Sequence, residues 1–335
     1  MERRQQENSV LELQRTKMEL VAAHEQGDTR LLTQVMQGDA AQQEALADFV
    51  AGRLCGRRPA MDPTQAAAFG GMRLGALGWH EGVIGKLRLE SLRWPAVCPQ
   101  GSVIGTWRGA PCYAAVGDQQ CALAGALLVE RELSVNIGTG SQVGMLAGAG
   151  RPDGLQSRPY FDGRVLRTIT HIPGGRALSG LIGLLGEIGG ISEENAWRQI
   201  ESAVAAVTST DARAGVAFFP GACGYGGFLE NLHEGNMTVG HVFRAVFESM
   251  AWNYATCARR LDPDGEAGKA VFSGGVARRL EALRERTERA LGLPARLSPH
   301  AEDTLFGLMT LALAFRGKRN SVREATETIS QFLAR

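Results

Sequence analysis

Residues 112–146 read CYAAVGDQQCALAGALLVERELSVNIGTGSQVGML, and the alternation inside this stretch decides the fold. Residues 112–116 form an apolar run of strand length, and 120–128 read as a short helix. Residues 133–137 and 143–146 are two more strand-like runs joined by a Gly-rich turn. Apolar runs of this length, broken by turn residues, predict strands, and a longer Ala- and Leu-rich run predicts a helix. Both conspicuous polar motifs, Gly117-Asp118-Gln119-Gln120 and Asn136-Ile137-Gly138-Thr139-Gly140-Ser141-Gln142, lie where a strand ends.

The pattern continues toward the C-terminus. A strand over 164–170 leads into Pro173-Gly174-Gly175 and a helix over 176–186, a second apolar strand covers 216–219, and a long buried helix covers 239–261. A strand–helix–strand–helix series follows over 270–273, 276–291, 295–298 and 304–315, before an amphipathic outer helix at 322–333. Hairpin strands followed by strands alternating with helices predict an α/β protein, with a mixed sheet covered by helices on both faces.

Toward the N-terminus the signals weaken. Residues 41–54 predict an amphipathic helix with Leu46, Phe49, Val50 and Leu54 on one face, stopped at Gly56. A loop with Asp62-Pro63-Thr64-Gln65-Ala66-Ala67 follows, then a region rich in Trp and Pro up to Gly109. The first forty residues are rich in Gln, Glu and Arg, and Leu11, Met18, Val21, Leu31, Leu32 and Val35 give them a weak helical period. They are expected to be a helical appendix without assigned function.

Composition narrows the function classes. The 335 residues are 44% hydrophobic, enough for one large or two smaller cores, and the net charge is +1. Such a balance offers nothing to nucleic acid or an acidic membrane, and the basic residues between Arg278 and Arg289 are interrupted by acids, as on a solvated helix face. Cys55, Cys98, Cys112, Cys121, Cys223 and Cys257 are scattered, with no CxxC pair and no histidine at ligand spacing, so no metal site is expected. With no apolar run long enough to span a membrane, a reduced, cytoplasmic protein is expected.

Each polar motif has two readings. Asp118 can cap the helix that follows it, or it can accept a proton from an attacking hydroxyl, help worth roughly 10²–10⁴ in rate. The Gly138-Thr139-Gly140 turn is a plain hairpin or a place where amides and a hydroxyl approach a phosphate; no GKS or GKT follows it, so it is not a Walker A loop. Ser273-Gly274-Gly275-Val276-Ala277-Arg278 is a tight strand-to-helix turn or a flat surface for an adenine ring.

Taken together, a strand-end GDQ, a GTG some twenty residues later and a late GGxAR resemble the FGGY carbohydrate kinases of the actin-like ATPase superfamily over about residues 42–315. Asp62-Pro63-Thr64-Gln65-Ala66-Ala67 is similar to that family's DxxNA-type segment, with Gln65 where Asn is usual. Pro159-Tyr160-Phe161, Ile172-Pro173-Gly174-Gly175 and Gly240-His241-Val242 look most like its sedoheptulokinase branch.

The resemblance implies an actin-like ATPase (ribonuclease H-like) fold and transfer of phosphate from ATP, with Mg²⁺, to a small-molecule sugar. It implies Asp118 as general base, Gln119 as a sugar-binding neighbour, and Gly138, Thr139, Gly140, Gly175, Gly274 and Gly275 as nucleotide-binding residues. It divides the chain into the appendix at 1–40, a remnant of the family's N-terminal domain at 41–110 and the C-terminal, nucleotide-binding domain at 111–335. The DxGTT-like hairpin with which the family opens is missing, and Phe219-Pro220-Gly221-Ala222-Cys223-Gly224 lacks the GER-like residues often found in that loop. A nucleotide-binding or partner-binding protein derived from a kinase is therefore the alternative expectation, and a different actin-like ATPase, such as an acetate-kinase or chaperone relative, is a third.

Overall fold

The computed structural model describes residues 46–58, 60–92, 94–147, 155–190 and 192–333. The helical segment expected at 1–40, and residues 41–45 of the helix expected over 41–54, lie outside them. The chain divides into two compact units after Val116. The division expected at 110/111 would cut a hairpin: β5 (Val103–Trp107) pairs antiparallel with β6 (Ala110–Tyr113), so both strands stay with the first unit.

Short elements make up the first unit: α1 (Leu46–Cys55), β1 (Ala60–Met61), α2 (Pro63–Ala66), β2 (Met72–Arg73), β3 (Gly78–Trp79), α3 (Glu81–Lys86) and β4 (Ala96–Val97) before the β5–β6 hairpin. Asp62 starts α2 as its N-cap, its carboxylate accepting from the Thr64 amide at 2.8 Å and the Thr64 hydroxyl at 2.6 Å, with Pro63 next in line. The apolar face read for α1 is turned outward: Leu46 is 74% exposed, while Asp48 and Gly52 are buried. The small Gly52 lets the opposite face of the helix lie close to its neighbours β1, β5 and β6.

The second unit is built on a six-stranded mixed sheet. After α4 (Asp118–Gly125) come β7 (Glu132–Ile137), β8 (Ser141–Ala147), β9 (Gln156–Pro159) and β10 (Val165–Ile172). Next are α5 (Gly175–Gly189), α6 (Glu193–Ala205), the hairpin β11 (Arg213–Gly221) and β12 (Gly224–Glu230), and α7 (Val239–Leu261). The chain closes with β13 (Lys269–Ser273), α8 (Gly275–Arg279), α9 (Glu281–Leu291), β14 (Ala295–Leu297), α10 (Asp303–Phe315) and α11 (Val322–Leu333). Strand order is β14-β13-β7-β8-β10-β9; β7, β8, β10 and β9 pair antiparallel, and β13 and β14 join parallel.

Period-two alternation sorts the sheet's side chains between two layers. Leu133, Val135, Ile137, Val143, Met145 and Ile169 face a core completed by α5, α6, α7 and α9. On α7, Phe247, Met250 and Tyr254 are fully buried there, each contributing about 1.5–3 kcal/mol of apolar burial for a side chain of this size. Alternate positions such as Thr168 point the other way, toward α4. Behind α4 lies α10, at a crossing where only glycine fits: a Cβ on Gly125 would come within 1.8 Å of the Asp303 carbonyl oxygen, and one on Gly307 within 1.8 Å of that of Cys121.

In the second unit, four regions depart from the sequence reading. Residues 193–205 form a helix and 156–159 and 224–230 form strands that the pattern did not predict. The single helix expected over 276–291 breaks at Leu280, which is non-helical at φ −97, ψ 89. Carbonyls freed there are taken up by the Arg284 guanidinium, which donates to Ala277 O at 2.5 Å and Arg278 O at 3.1 Å.

Candidate functional site

Three glycine-bearing junctions meet at one end of the sheet. The β7–β8 turn carries Gly138, Thr139 and Gly140, the β10–α5 junction carries Gly174 and Gly175, and the β13–α8 junction carries Gly274 and Gly275. The Gly175 amide donates to Gly138 O at 2.8 Å and the Arg176 amide to Thr139 O at 2.8 Å. Asn136 on β7 donates to the Ser273 hydroxyl on β13 at 2.9 Å, fastening the first turn to the third.

Backbone proximity explains the inner glycines. Gly274 has φ +89, and a Cβ there would lie 2.5 Å from Ile137 O. A Cβ on Gly174 would meet Ser141 Oγ at 2.5 Å, and one on Gly175 would meet Val276 Cγ2 at 2.9 Å. Gly140 and Gly275 differ: a Cβ on either meets nothing within 4 Å. Thr139, Gly140 and Gly275 are exposed, so the junction has a packed inner side and an open outer side of backbone and one hydroxyl. An open side of backbone and hydroxyl lets an anion approach the chain closely.

Two further clusters brace these junctions. Buried Tyr254 on α7 donates to Pro173 O at 2.9 Å and lies 3.0 Å from the Ser141 hydroxyl, tying the second junction to the start of β8. Arg278 donates to Ser298 O at 2.7 Å and Ser298 Oγ at 2.6 Å, and lies 3.8 Å from the Asp303 carboxylate. Arg278 is therefore a brace under the third junction and not part of a solvated basic face, as the sequence pattern suggested. Burial pushes the Asp303 carboxyl up, while Ser298, Arg278 and the Gly274 amide pull it back.

Asp118 opens α4. Gly117 is the N-cap, without a side-chain bond, and Asp118 is the first helical residue, exposed, its carboxylate accepting from the Gln119 amide at 2.7 Å. Gln119 turns inward and is buried: its amide nitrogen donates to Thr168 Oγ1 at 3.0 Å and its oxygen accepts from Arg158 Nη1 at 2.9 Å. Thr168 donates in turn to Val143 O at 3.1 Å, on the strand that begins at Ser141 beside the glycine turn. Gln120 reaches Pro159 O at 3.0 Å and Cys121 reaches Thr304 O at 3.2 Å, fixing the first turn of α4.

Arg158 is the charged partner of this cluster. Burial lowers its guanidinium's pKa, and the neighbouring Asp118 charge works against that fall. Sequence reading passed over it, although it stands immediately before Pro159-Tyr160-Phe161. Thr168, Tyr254, Ser298 and Asp303 were also passed over; each acts through a partner distant in sequence and leaves no local signature.

No protein-family model matches the sequence, and no curated protein matches it. Solved structures do match. The chain is similar to ligand-bound xylulose kinase from Lactobacillus acidophilus with a TM-score of 0.77 at 13% identity, covering 93% of this chain and 71% of that one. Gluconate kinase from Lactobacillus acidophilus gives 0.77 at 14% identity, with 93% and 71% covered. Plasmodium falciparum glycerol kinase with ADP gives 0.73 at 17% identity, with 85% and 60% covered. The fold is therefore the mixed α/β, actin-like ATPase (ribonuclease H-like) fold of the sugar kinases.

Proposed function

We propose that this chain is a carbohydrate kinase of the FGGY type that transfers the γ-phosphoryl group of ATP to a hydroxyl of a ketose, with sedoheptulose, giving sedoheptulose 7-phosphate, as first candidate. The observation that carries the reading is the meeting of three glycine junctions that expose backbone at Thr139, Gly140 and Gly275, in one compact unit with an exposed carboxylate at Asp118. Residues 117–333 serve as the nucleotide-binding domain in this reading, and residues 46–116 belong to the family's other domain.

The roles follow from position. Gly275 offers the open surface for adenosine, with Gly274 packed behind it, and Thr139 and Gly140 face the phosphates, backed by Gly138 and Gly175. Asp118 accepts the proton as the sugar oxygen bonds to the γ-phosphorus and the bond to the β,γ-bridging oxygen breaks, releasing ADP. Gln119, expected against the sugar, acts one step back by holding Arg158 beside Asp118. Mg²⁺ carried on the nucleotide would supply charge neutralisation on the phosphates.

Incubating the protein with ATP, Mg²⁺ and, separately, sedoheptulose, xylulose, gluconate and glycerol, with ³¹P NMR detection, tests the proposal. A new phosphomonoester signal with sedoheptulose is expected. A signal only with another substrate would replace sedoheptulose, and ATP binding without any phosphomonoester would favour the nucleotide-binding alternative.

A further inference from the structure

Helix α10 does not turn a polar face to water. Between Glu302 and Arg316 it reads DTLFGLMTLALAF, where the single charged residue, Asp303, is buried. Its inner face, with Asp303, Gly307, Thr310 and Leu311, packs on α4 and α11. The outer face is apolar as well: Leu305 is 63% exposed, Met309 50% and Leu308 48%, with Ala312 exposed beside them. A helix apolar on both faces is ordinarily covered on both.

The ends of this outer face carry opposite charges. Glu302, Leu305, Met309, Ala312 and Arg316 follow one another at steps of three and four, so they form one stripe along the helix. Glu302 and Arg316 are exposed, and neither joins an ion pair among the described residues. The stripe runs from acid through apolar to base over roughly 21 Å, at about 1.5 Å of rise per residue.

We propose that this stripe is a docking surface for a second copy of the chain, the two α10 helices packing antiparallel about a two-fold axis near Met309. Turned end for end, Glu302 of each copy faces the partner's Arg316, Leu305 packs over the partner's small Ala312, and Met309 meets the partner's Met309. A parallel pair would set Glu302 against its own counterpart and align helix dipoles that the antiparallel pair opposes. One patch used by both copies is the self-complementary contact of a closed dimer. A lipid surface fits less well, because interfacial helices border their apolar face with Lys and Arg, and here one border is acidic. A single helix seam is small among specific interfaces, so the dimer exchanges with monomer.

Sedimentation velocity of the whole protein over a wide range of concentration tests this. The parent is expected to shift reversibly from monomer to dimer. Met309→Arg is expected to stay monomeric while melting with the parent, since the position is half-exposed. Charge reversal then checks the orientation. Glu302→Arg and Arg316→Glu each bring like charges together at both ends of the seam. Each should raise the dissociation constant about tenfold, near 1.4 kcal/mol. Mixing the two variants restores opposite charges at both ends and should return the parent's affinity as a heterodimer. A parent that stays monomeric at every concentration would overturn the proposal and leave the stripe to another occupant. A dimer that survives Met309→Arg would overturn it too, as would single reversals that weaken nothing, or a mixture no tighter than its components.

Discussion

At Gly274 there is no room for a side chain, whereas at Gly275, one residue on, there is nothing but space. The contrast separates folding from binding. Gly274→Ala must leave a positive φ and push on the Ile137 backbone, so it is expected to cost about 1–3 kcal/mol or more in a thermal melt. Gly275→Ala is expected to melt like the parent and to bind ADP about tenfold more weakly, near 1.4 kcal/mol, by calorimetric titration. Unchanged ADP affinity in Gly275→Ala would remove that residue from the nucleotide site.

Asp303 gives a pH prediction at the same scale. Its folded pKa is raised, so the fold holds this proton more tightly than the unfolded chain does. Its contribution is therefore most favourable below the ordinary carboxylate range and declines as pH rises through the folded pKa. In urea melts between about pH 4 and pH 6, the stability of the parent relative to Asp303→Asn should fall with rising pH. A difference that grows with pH would contradict the assignment.

Among elements, the α4–α10 crossing sets where Asp118 stands. Since a Cβ on Gly307 would sit 1.8 Å from Cys121 O, Gly307→Ala must separate the helices. A loss of at least about 1–3 kcal/mol of stability is expected, with turnover in the proposed phosphoryl transfer falling more than ADP affinity because the glycine junctions are built elsewhere. Equal loss of both would mean that the whole unit had loosened. The outward face of α1 predicts the opposite sort of result. Replacing Leu46 and Phe49 by Glu should change the melt by under about 0.5 kcal/mol, as exposed positions do, while reducing light scattering at high concentration.

Legibility in the sequence followed the size and completeness of each element's own signal. The helix over 239–261 was read with the bounds observed for Val239–Leu261, because its buried positions recur at helical spacing through six turns. The β7–β8 hairpin was read nearly as well. Helix α6 carried a usable signal, with Ala196, Trp197, Ile200 and Val204 buried on one side, but its many polar residues hid it. Strand β12 could not be read from GYGGFLE: three of its seven residues are glycine, and it forms because Phe228 covers Gly215 across the hairpin and Phe218 lies against Gly227. Of the candidate site, the glycines and Asp118 were legible as motifs, whereas Arg158 was not, since its meaning lies in Gln119, thirty-nine residues away.

At the scale of the whole molecule, the two units differ in how they hold together. Residues 46–116 contain only two-stranded sheets, whereas residues 117–333 contain a six-stranded sheet with helices on both faces. Small sheets with few buried contacts open more readily. Limited proteolysis should therefore cut within 46–116 first and leave a fragment beginning near Gly117, and uniform resistance across both units would count against this. Among the described residues no helix is long and apolar enough to cross a membrane.

The most direct test of the central claim compares the protein with Asp118→Asn for ATP binding and for sedoheptulose-dependent ADP release. If Asp118 is the base, the variant binds ATP as the parent does and releases ADP roughly 10²–10⁴-fold more slowly. Parental turnover in Asp118→Asn would contradict the account, whatever the sugar.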